Sequence, residues 1–416
     1  MSDLPTSAAP AQNSPVSAQA PSAVSFPVAD RYAGVTTTAV RDLLDVLSQG
    51  NIISFAGGAP AAEFFAADDI RASFDWVFAN RPAKALQYSS TPGEPELREQ
   101  AARRVSRFIP TTADQIQVTT GSQEAIYLVG NAMINPGDVV LVERPTYLAA
   151  VQAFASSGAR MIGIPSDDDG ARPDALEDLI REHNPKFVYL IPTFQNPSGV
   201  CMQAGRRKEI AEVLLRTGTP LVEDDPYGEL RFSGEFIPQI SALPGMAHQS
   251  LLLNSISKVM APGIRVGWIR GEGPILNTIS IAKEAIGLHS SVVDQLAVAR
   301  YLEAYDVDAH IRTVVEVYKQ RRDGMRRELL EMVPEGATVT SPDGGMFLWA
   351  ALGNGIDTTA LLPIAVQEGV AFVPGESFFA HDPDRSTMRL SYVTNPPEVI
   401  SEGLHRLGRA LERWHG

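Results

Sequence analysis

A chain of 416 residues with 44% hydrophobic side chains, 33 glycines and 30 prolines can bury a large core and is expected to divide into about two domains. Its net charge of −14 argues against a broad nucleic-acid or acidic-lipid surface, leaves room for one local basic pocket, and points to small-molecule partners. Cys201 is the single cysteine, which excludes an intrachain disulfide and a Cys-rich zinc site and suits a reducing, cytoplasmic setting.

Residues 1–30 are rich in Ala, Ser and Pro, carry no Lys or Arg, and lack the basic and apolar regions of a signal peptide. With so few large apolar side chains, the segment is expected to be a disordered tail. No run of about 18 apolar residues suggests a membrane span. From about residue 115 to 270, short β-branched runs alternate with helical segments, the pattern of βαβ units. The expected strands are Gln115 to Thr120, Val139 to Val142, Met161 to Ile164, Phe187 to Ile191, Leu221 to Glu223, Leu251 to Asn254 and Val266 to Ile269. Helices are expected at Gln123 to Ile134, Tyr147 to Ser156, Ala175 to Glu182 and Arg206 to Arg216. After Lys283 come longer charged helices, Val293 to Leu302 and Ile311 to Met332, a strand from Gly345 to Ala350 and a helix from Pro397 to Trp414. The expected fold class is therefore α/β, with a mainly parallel sheet flanked by helices and a smaller α+β domain.

Six lysines are present, and five have bland surroundings. Lys258 instead follows the apolar run Leu251-Leu252-Leu253 in Ser255-Ile256-Ser257-Lys258, with Arg265 seven residues on. A lysine just past the end of a buried strand is open to desolvation, which lowers its pKa and suits Schiff-base chemistry; on its own the context reads first as a surface lysine. Other clusters shift the balance. Leu221-Val222-Glu223-Asp224-Asp225-Pro226-Tyr227 ends a strand in acids and a phenol, and the strand before Gln195-Asn196-Pro197-Ser198-Gly199 ends in an amide beside a turn. Ligands of open parallel sheets bind outside the carboxyl ends of the strands, where these clusters can converge. Thr119-Thr120-Gly121-Ser122-Gln123 leads a strand through glycine into a helix, a natural phosphate site, though Ser122 taken alone also reads as an ordinary N-cap.

At these residues the chain resembles the fold-type I aminotransferases dependent on pyridoxal 5′-phosphate (PLP), the aspartate aminotransferase superfamily. It looks nearest to the 2-aminoadipate and kynurenine branch. The likeness runs from about Arg31 to the C-terminus and rests on Ile53 to Pro60, Leu86-Gln87-Tyr88-Ser89, Gly121-Ser122-Gln123, Asn196 to Gly199, Asp224 to Tyr227, Ser255 to Arg265, Gly344 to Phe347 and Met388 to Ser391. The resemblance implies that Lys258 forms the Schiff base with PLP and then shuttles the proton. It implies that Asp224, with Asp225 as the alternative, pairs with the pyridine nitrogen, and that Asn196 and Tyr227 bond the phenolic oxygen. Tyr147 would stack on the ring, core packing being its other reading. Ser122, Gln123, Ser255 and Arg265 would hold the phosphate, joined by Tyr88 from the other subunit of a homodimer. Arg389 would clamp the substrate α-carboxylate. Gly57 and Gly58 would let backbone approach the substrate, unless they form an ordinary turn. Arg41 matches an arginine that meets a substrate's side-chain acid. Its setting, Thr38-Ala39-Val40-Arg41-Asp42, departs from the branch's Ser-x-Ile-Arg-Glu, and a helix-surface arginine fits as well.

The implied domains are a large PLP-binding domain over 59–295 and a small one over 296–416, which the helix and strand of 31–58 join. The implied reaction exchanges an amino group between an amino acid and a 2-oxo acid, with glutamate and 2-oxoglutarate as one pair, by a ping-pong route. A PLP-dependent β-lyase, decarboxylase, racemase or oxidase is the alternative on the same fold, and a non-catalytic sensor is a remoter one. No His-Glu-x-x-His, Gly-x-Ser-x-Gly or Walker loop supports a metallohydrolase, serine hydrolase or nucleotide enzyme, and no metal is expected.

Overall fold

The computed structural model describes residues 26–27, 29–32 and 52–414. The Ala/Ser/Pro-rich tail lies almost wholly outside the described residues, and so does Arg41. Seven strands build the central sheet: β1 Ile116–Thr119, β2 Val139–Glu143, β3 Arg160–Ile164, β4 Phe187–Leu190, β5 Leu221–Asp224, β6 Ser250–Ser255 and β7 Gly267–Arg270. Their spatial order is β1-β7-β6-β5-β4-β2-β3, and all pairs are parallel except those of β7, which runs antiparallel to β1 and β6. The fold is α/β with a mainly parallel sheet.

Both faces of this sheet are covered, which is why its strands read as nearly continuous apolar runs. Alternation along each strand divides them. Val140, Val142, Phe187, Tyr189 and Val222 pack with Ile126, Val129 and Phe154 of the helices Ser122–Met133 and Leu148–Ser156. Leu141, Val188, Leu190 and Leu221 pack on the other side with Leu176, Ile180, Ile210 and Leu214 of Pro173–His183 and Ala204–Thr217. Each such side chain contributes about 1.5–3 kcal/mol on burial, so a one-residue slip that reversed the two sets is strongly disfavoured.

Element ends differ from expectation for local reasons. Strand β1 begins at Ile116 because Gln115 closes a capping box with Thr112. Strand β7 begins at Gly267 because Arg265 takes a left-handed backbone, φ 57. Tyr147 is the extended N-cap of its helix rather than its first turn. The helices Ala67–Asn80, Pro95–Val105 and Pro274–Gly287 were not expected, and Lys283 lies inside the last of them.

A second, antiparallel sheet follows, formed by β8 Thr338–Val339, β9 Phe347–Ala351, β10 Val373–Pro374 and β11 Thr387–Ser391 in the order β8-β9-β11-β10. The helices Val307–Met332 and Pro397–Glu412 pack together beside it. The short strand Ile53–Ser54 pairs in parallel with Val370–Ala371, so the early chain is tied to the late chain. These connections bring Ala56, Gly58 and Arg389 over the carboxyl ends of β4, β5 and β6.

Candidate active site

Lys258 ends a single helical turn, Ile256–Lys258, that Ser255 caps by accepting from Ser257 N at 3.0 Å. The turn carries the lysine directly off the edge of β6. Its Nζ donates to the carbonyl of Gly58 at 2.7 Å. Burial, aided by Arg389 and Arg265, lowers its pKa to about 8. A lysine so placed is neutral far more often near pH 7 than one in water, the condition for nucleophilic attack.

Asp224 ends β5 and is 2% exposed. Its Oδ2 accepts from Tyr189 Oη at 2.8 Å, and Oδ1 has no hydrogen-bond partner among the described residues. Burial raises its pKa to about 7, and Asp225 adds to the rise, while the Tyr189 bond opposes it. Asp225 turns elsewhere: it accepts from Gln239 Nε2 at 2.8 Å and lines a separate cavity. Of the two acids left open by the sequence, Asp224 is the one that shares a cavity with Lys258.

Asn196 links the phenol of Tyr227 to Arg389 on β11. Its Nδ2 donates to Tyr227 Oη at 3.3 Å, and its Oδ1 accepts from Arg389 at 2.8 Å. Gln195 stiffens the turn, accepting from Ser198 N and Oγ at 2.8 and 2.6 Å and donating to Pro145 O at 2.6 Å. Tyr227 packs edge-on against Phe347. Arg389, 3% exposed, also donates to Ala56 O at 2.8 Å and lies between the rings of Phe347 and Phe378, at 4.2 and 5.0 Å. Its Nε has no partner among the described residues, and burial lowers its pKa to about 10.

At the other end, Gly121 adopts φ +80 and delivers the chain into the helix Ser122–Met133. A Cβ there would lie 2.6 Å from the Arg265 guanidinium, so glycine is required both for the backbone and for the arginine's approach. Arg265 donates to Thr120 O at 3.1 Å, while Ser122 Oγ is buried without a partner among the described residues. Gln123 accepts from Tyr147 Oη at 3.3 Å, and burial pushes the Tyr147 phenol up to about 12. Ser255 Oγ bonds Ser257 Oγ at 2.8 Å. A fixed guanidinium, a free hydroxyl and a helix N-terminus suit an anion rich in oxygen.

Ser122, Gln123, Tyr147, Asn196, Asp224, Tyr227, Ser255, Lys258 and Arg265 thus line one cavity of about 130 Å³. A larger cleft of about 510 Å³ lies behind the Gln195 to Ser198 turn, but no lysine lines it. Gly58 enters through its carbonyl and Arg389 through Asn196. Tyr88 does not line the cavity of its own chain: it is 78% exposed, its ring edge-on to His289. Arg41 lies outside the described residues.

Two contributors escaped the sequence reading. Lys283, bland in its sequence surroundings, is 1% exposed and donates to Glu124 Oε2 and Ser290 Oγ, both at 2.8 Å. The same Glu124 oxygen accepts from Thr120 N at 2.5 Å, so the pair of buried Lys283 and half-buried Glu124 braces the turn before Ser122. Tyr189 is the other, visible in the sequence only as an aromatic in an apolar strand.

The unpartnered Ser122 Oγ and Asp224 Oδ1, set apart around Lys258, fit a group with an anionic end, a basic ring nitrogen and a carbonyl that a lysine can attack. Fold and cavity together define a lysine-dependent α/β enzyme of the kind that carries an aromatic phosphate cofactor. The model of the family "Aminotransferase class I and II" matches residues 47–407, and the chain belongs to that family. An aromatic-amino-acid aminotransferase of Thermococcus litoralis is 42% identical, over 92% of this chain and 93% of the relative. The crystal structure of an alpha-aminoadipate aminotransferase from Thermus thermophilus, complexed with N-(5'-phosphopyridoxyl)-L-leucine, is 35% identical with a TM-score of 0.87, covering 92% of this chain and 97% of that one. That of a Pyrococcus horikoshii kynurenine aminotransferase in complex with PMP is 39% identical with a TM-score of 0.88, covering 92% and 96%. The protein is a PLP-dependent aminotransferase.

Proposed function

We propose that the enzyme exchanges amino groups between amino acids and 2-oxo acids in two successive half-reactions, with glutamate and 2-oxoglutarate as one pair, in the cytoplasm and as a homodimer. The observation that carries this reading is that Lys258 and Asn196 line one cavity while Asn196 Oδ1 accepts from the buried Arg389 just behind it. When bound, PLP supplies an aldehyde that takes up the amine and a ring that accepts the electron pair released at the substrate Cα.

The chain's residues divide the remaining work. Lys258, neutral at Nζ, would be the residue that holds PLP covalently, and with its amine free it would hold the proton taken from the substrate Cα. Asp224 Oδ1 offers a buried anion to the ring nitrogen. Ser122, Gln123, Ser255 and Arg265 would hold the phosphate, the guanidinium supplying the compensating charge. Asn196 and Tyr227 would take the phenolic oxygen, and Tyr147 would pack on the ring. Arg389 retains the α-carboxylate through parallel N–H donors, which keeps the substrate from losing carbon dioxide. The exposure of Tyr88 supports its reaching the cavity of a second copy.

We also propose a large and a small domain, the early strand Ile53–Ser54 belonging with the small one. The expected 295/296 boundary falls inside the helix Val292–Ala304, which packs on Ala67–Asn80 and Pro95–Val105, so the division is better set near Tyr305. The reading is tested by single turnover with an amino-acid panel. Glutamate is expected to convert the PLP form to the amine form with release of 2-oxoglutarate, and an added 2-oxo acid to restore it. Release of ammonia without oxo-acid-dependent recovery would refute it.

A further inference from the structure

Tyr189 is fully buried on β4, and its hydroxyl donates one hydrogen bond, to Asp224 Oδ2 at 2.8 Å. The register explains the reach. Tyr189 pairs with Val222 across the parallel ladder, so Asp224 stands two residues further along the same face of β5. The phenol runs along the sheet toward the strand ends and meets the carboxylate from below. Phe154 packs edge-on against the phenol at 5.4 Å, and Phe187 against Phe154, which fixes the ring. Tyr189 does not line the cavity. Burial first, and Asp224 second, push its pKa well up, so it remains a donor across the working pH range.

A carboxylate has two oxygens and a low barrier to rotation about its last bond. With Oδ2 held by Tyr189, Oδ1 is the oxygen left for the cavity, where it has no other partner among the described residues. Without the phenol, the buried carboxylate has lost a donor that favours its ionised form, and the proton shared with a ring nitrogen moves toward the acid. We propose that Tyr189 is a positioning residue for the cofactor: it orients Asp224 and keeps it ionised, so that the ring nitrogen of bound PLP stays protonated. This inference rests on the role proposed above for Asp224.

The test is a cycle of two proteins and two ligands. Wild type and Tyr189→Phe, both freed of cofactor, are titrated with PLP and with an analogue carrying CH in place of the ring nitrogen. Loss of a hydrogen bond to a charged group is expected to weaken PLP binding about tenfold in the variant and to leave analogue binding within about twofold. The visible band of the bound cofactor is expected to titrate about one pH unit higher in Tyr189→Phe. Phe154→Leu, which loosens the packing and spares the hydroxyl, is expected to lower Tm without changing the ratio of the two affinities. Equal weakening for both ligands, or none for either, would overturn the role of Tyr189. A wild type that binds PLP and the analogue alike would instead remove the role of Asp224 beneath it.

Discussion

Two buried arginines stand on either side of the Pro192 to Gly199 segment, and they are built to opposite ends. Around Arg207, every side-chain nitrogen is engaged: Nε with Met202 O at 2.8 Å, one terminal nitrogen with Pro238 O at 3.0 Å, the other with Pro192 O and Thr193 Oγ1 at 3.0 and 2.9 Å. Glu223 nearby is satisfied as fully, accepting from Ile240 N, Ser241 N and Ser241 Oγ. Around Arg389, Nε and Asp224 Oδ1 have no partner among the described residues, and two aromatic rings hold the guanidinium in place. Burial without full satisfaction is costly, and in this pair it is the arginine beside the cavity that bears that cost.

The contrast is sharpest for changes at the site. Lys258→Ala is expected to lower kcat by about 10³ to 10⁴, since it removes the proposed nucleophile and proton carrier, and to abolish the visible cofactor band. Adjacent acids on β5 then make a direct comparison. Asp224→Asn is expected to cut kcat about a hundredfold, measured with PLP saturating, because an amide cannot hold a ring nitrogen protonated. Glu223→Gln should leave kcat within a few-fold and lower stability by about 1.5–3 kcal/mol in denaturant unfolding. Matching outcomes for the two acids would break the comparison.

The arginines follow. Arg389→Lys is expected to reduce kcat/KM for amino acids about fiftyfold, as a point charge replaces a planar fork, with Tm little changed. Arg207→Lys should do the reverse: stability falls by about 3 kcal/mol as several carbonyls lose their donors, and kcat/KM of the folded enzyme stays within a few-fold.

The smallest effect is on pH. Lys258 is held at about 8 against an ordinary 10.5, so the folded chain binds that proton less tightly than the unfolded one. The penalty is full below about 8 and disappears as pH rises toward 10.5. Asp224, raised from 3.8 to about 7, binds its proton more tightly when folded; its contribution to stability is present below 3.8 and lost as pH rises through 7. Both groups therefore penalise the cofactor-free fold most between about 7 and 8. PLP uptake should accelerate up to tenfold per pH unit below about 8 and level off above it, as neutral lysine accumulates. The rise in Tm on loading should be greatest in the same window.

Much of the site was legible because its chemistry sits at strand ends. Lys258, Asp224 and Asn196 each close an apolar run, and the βαβ rhythm places such ends along one edge. The Gly121-Ser122 turn carries its own signature in residue type. What stayed hidden was set by partners distant in the chain. Lys283 reads as a surface lysine until Glu124, 159 residues away, meets it. Tyr189 reads as core because an aromatic in a strand packs the same way whether or not its hydroxyl finds an acid. The choice between Asp224 and Asp225 needed the alternation of β5 and the position of Gln239.

Local pattern, then, determined the α/β class and the strands and marked Lys258 as a candidate, since periodicity, turn residues and apolar runs are properties of neighbours in sequence. Tertiary structure decided which acid faces the cavity, what braces the turn before Ser122, and how Arg389 is suspended between Phe347 and Phe378. Those features depend on register and on contacts between residues up to 333 positions apart, as from Arg389 to Ala56, and only the packed chain brings them together.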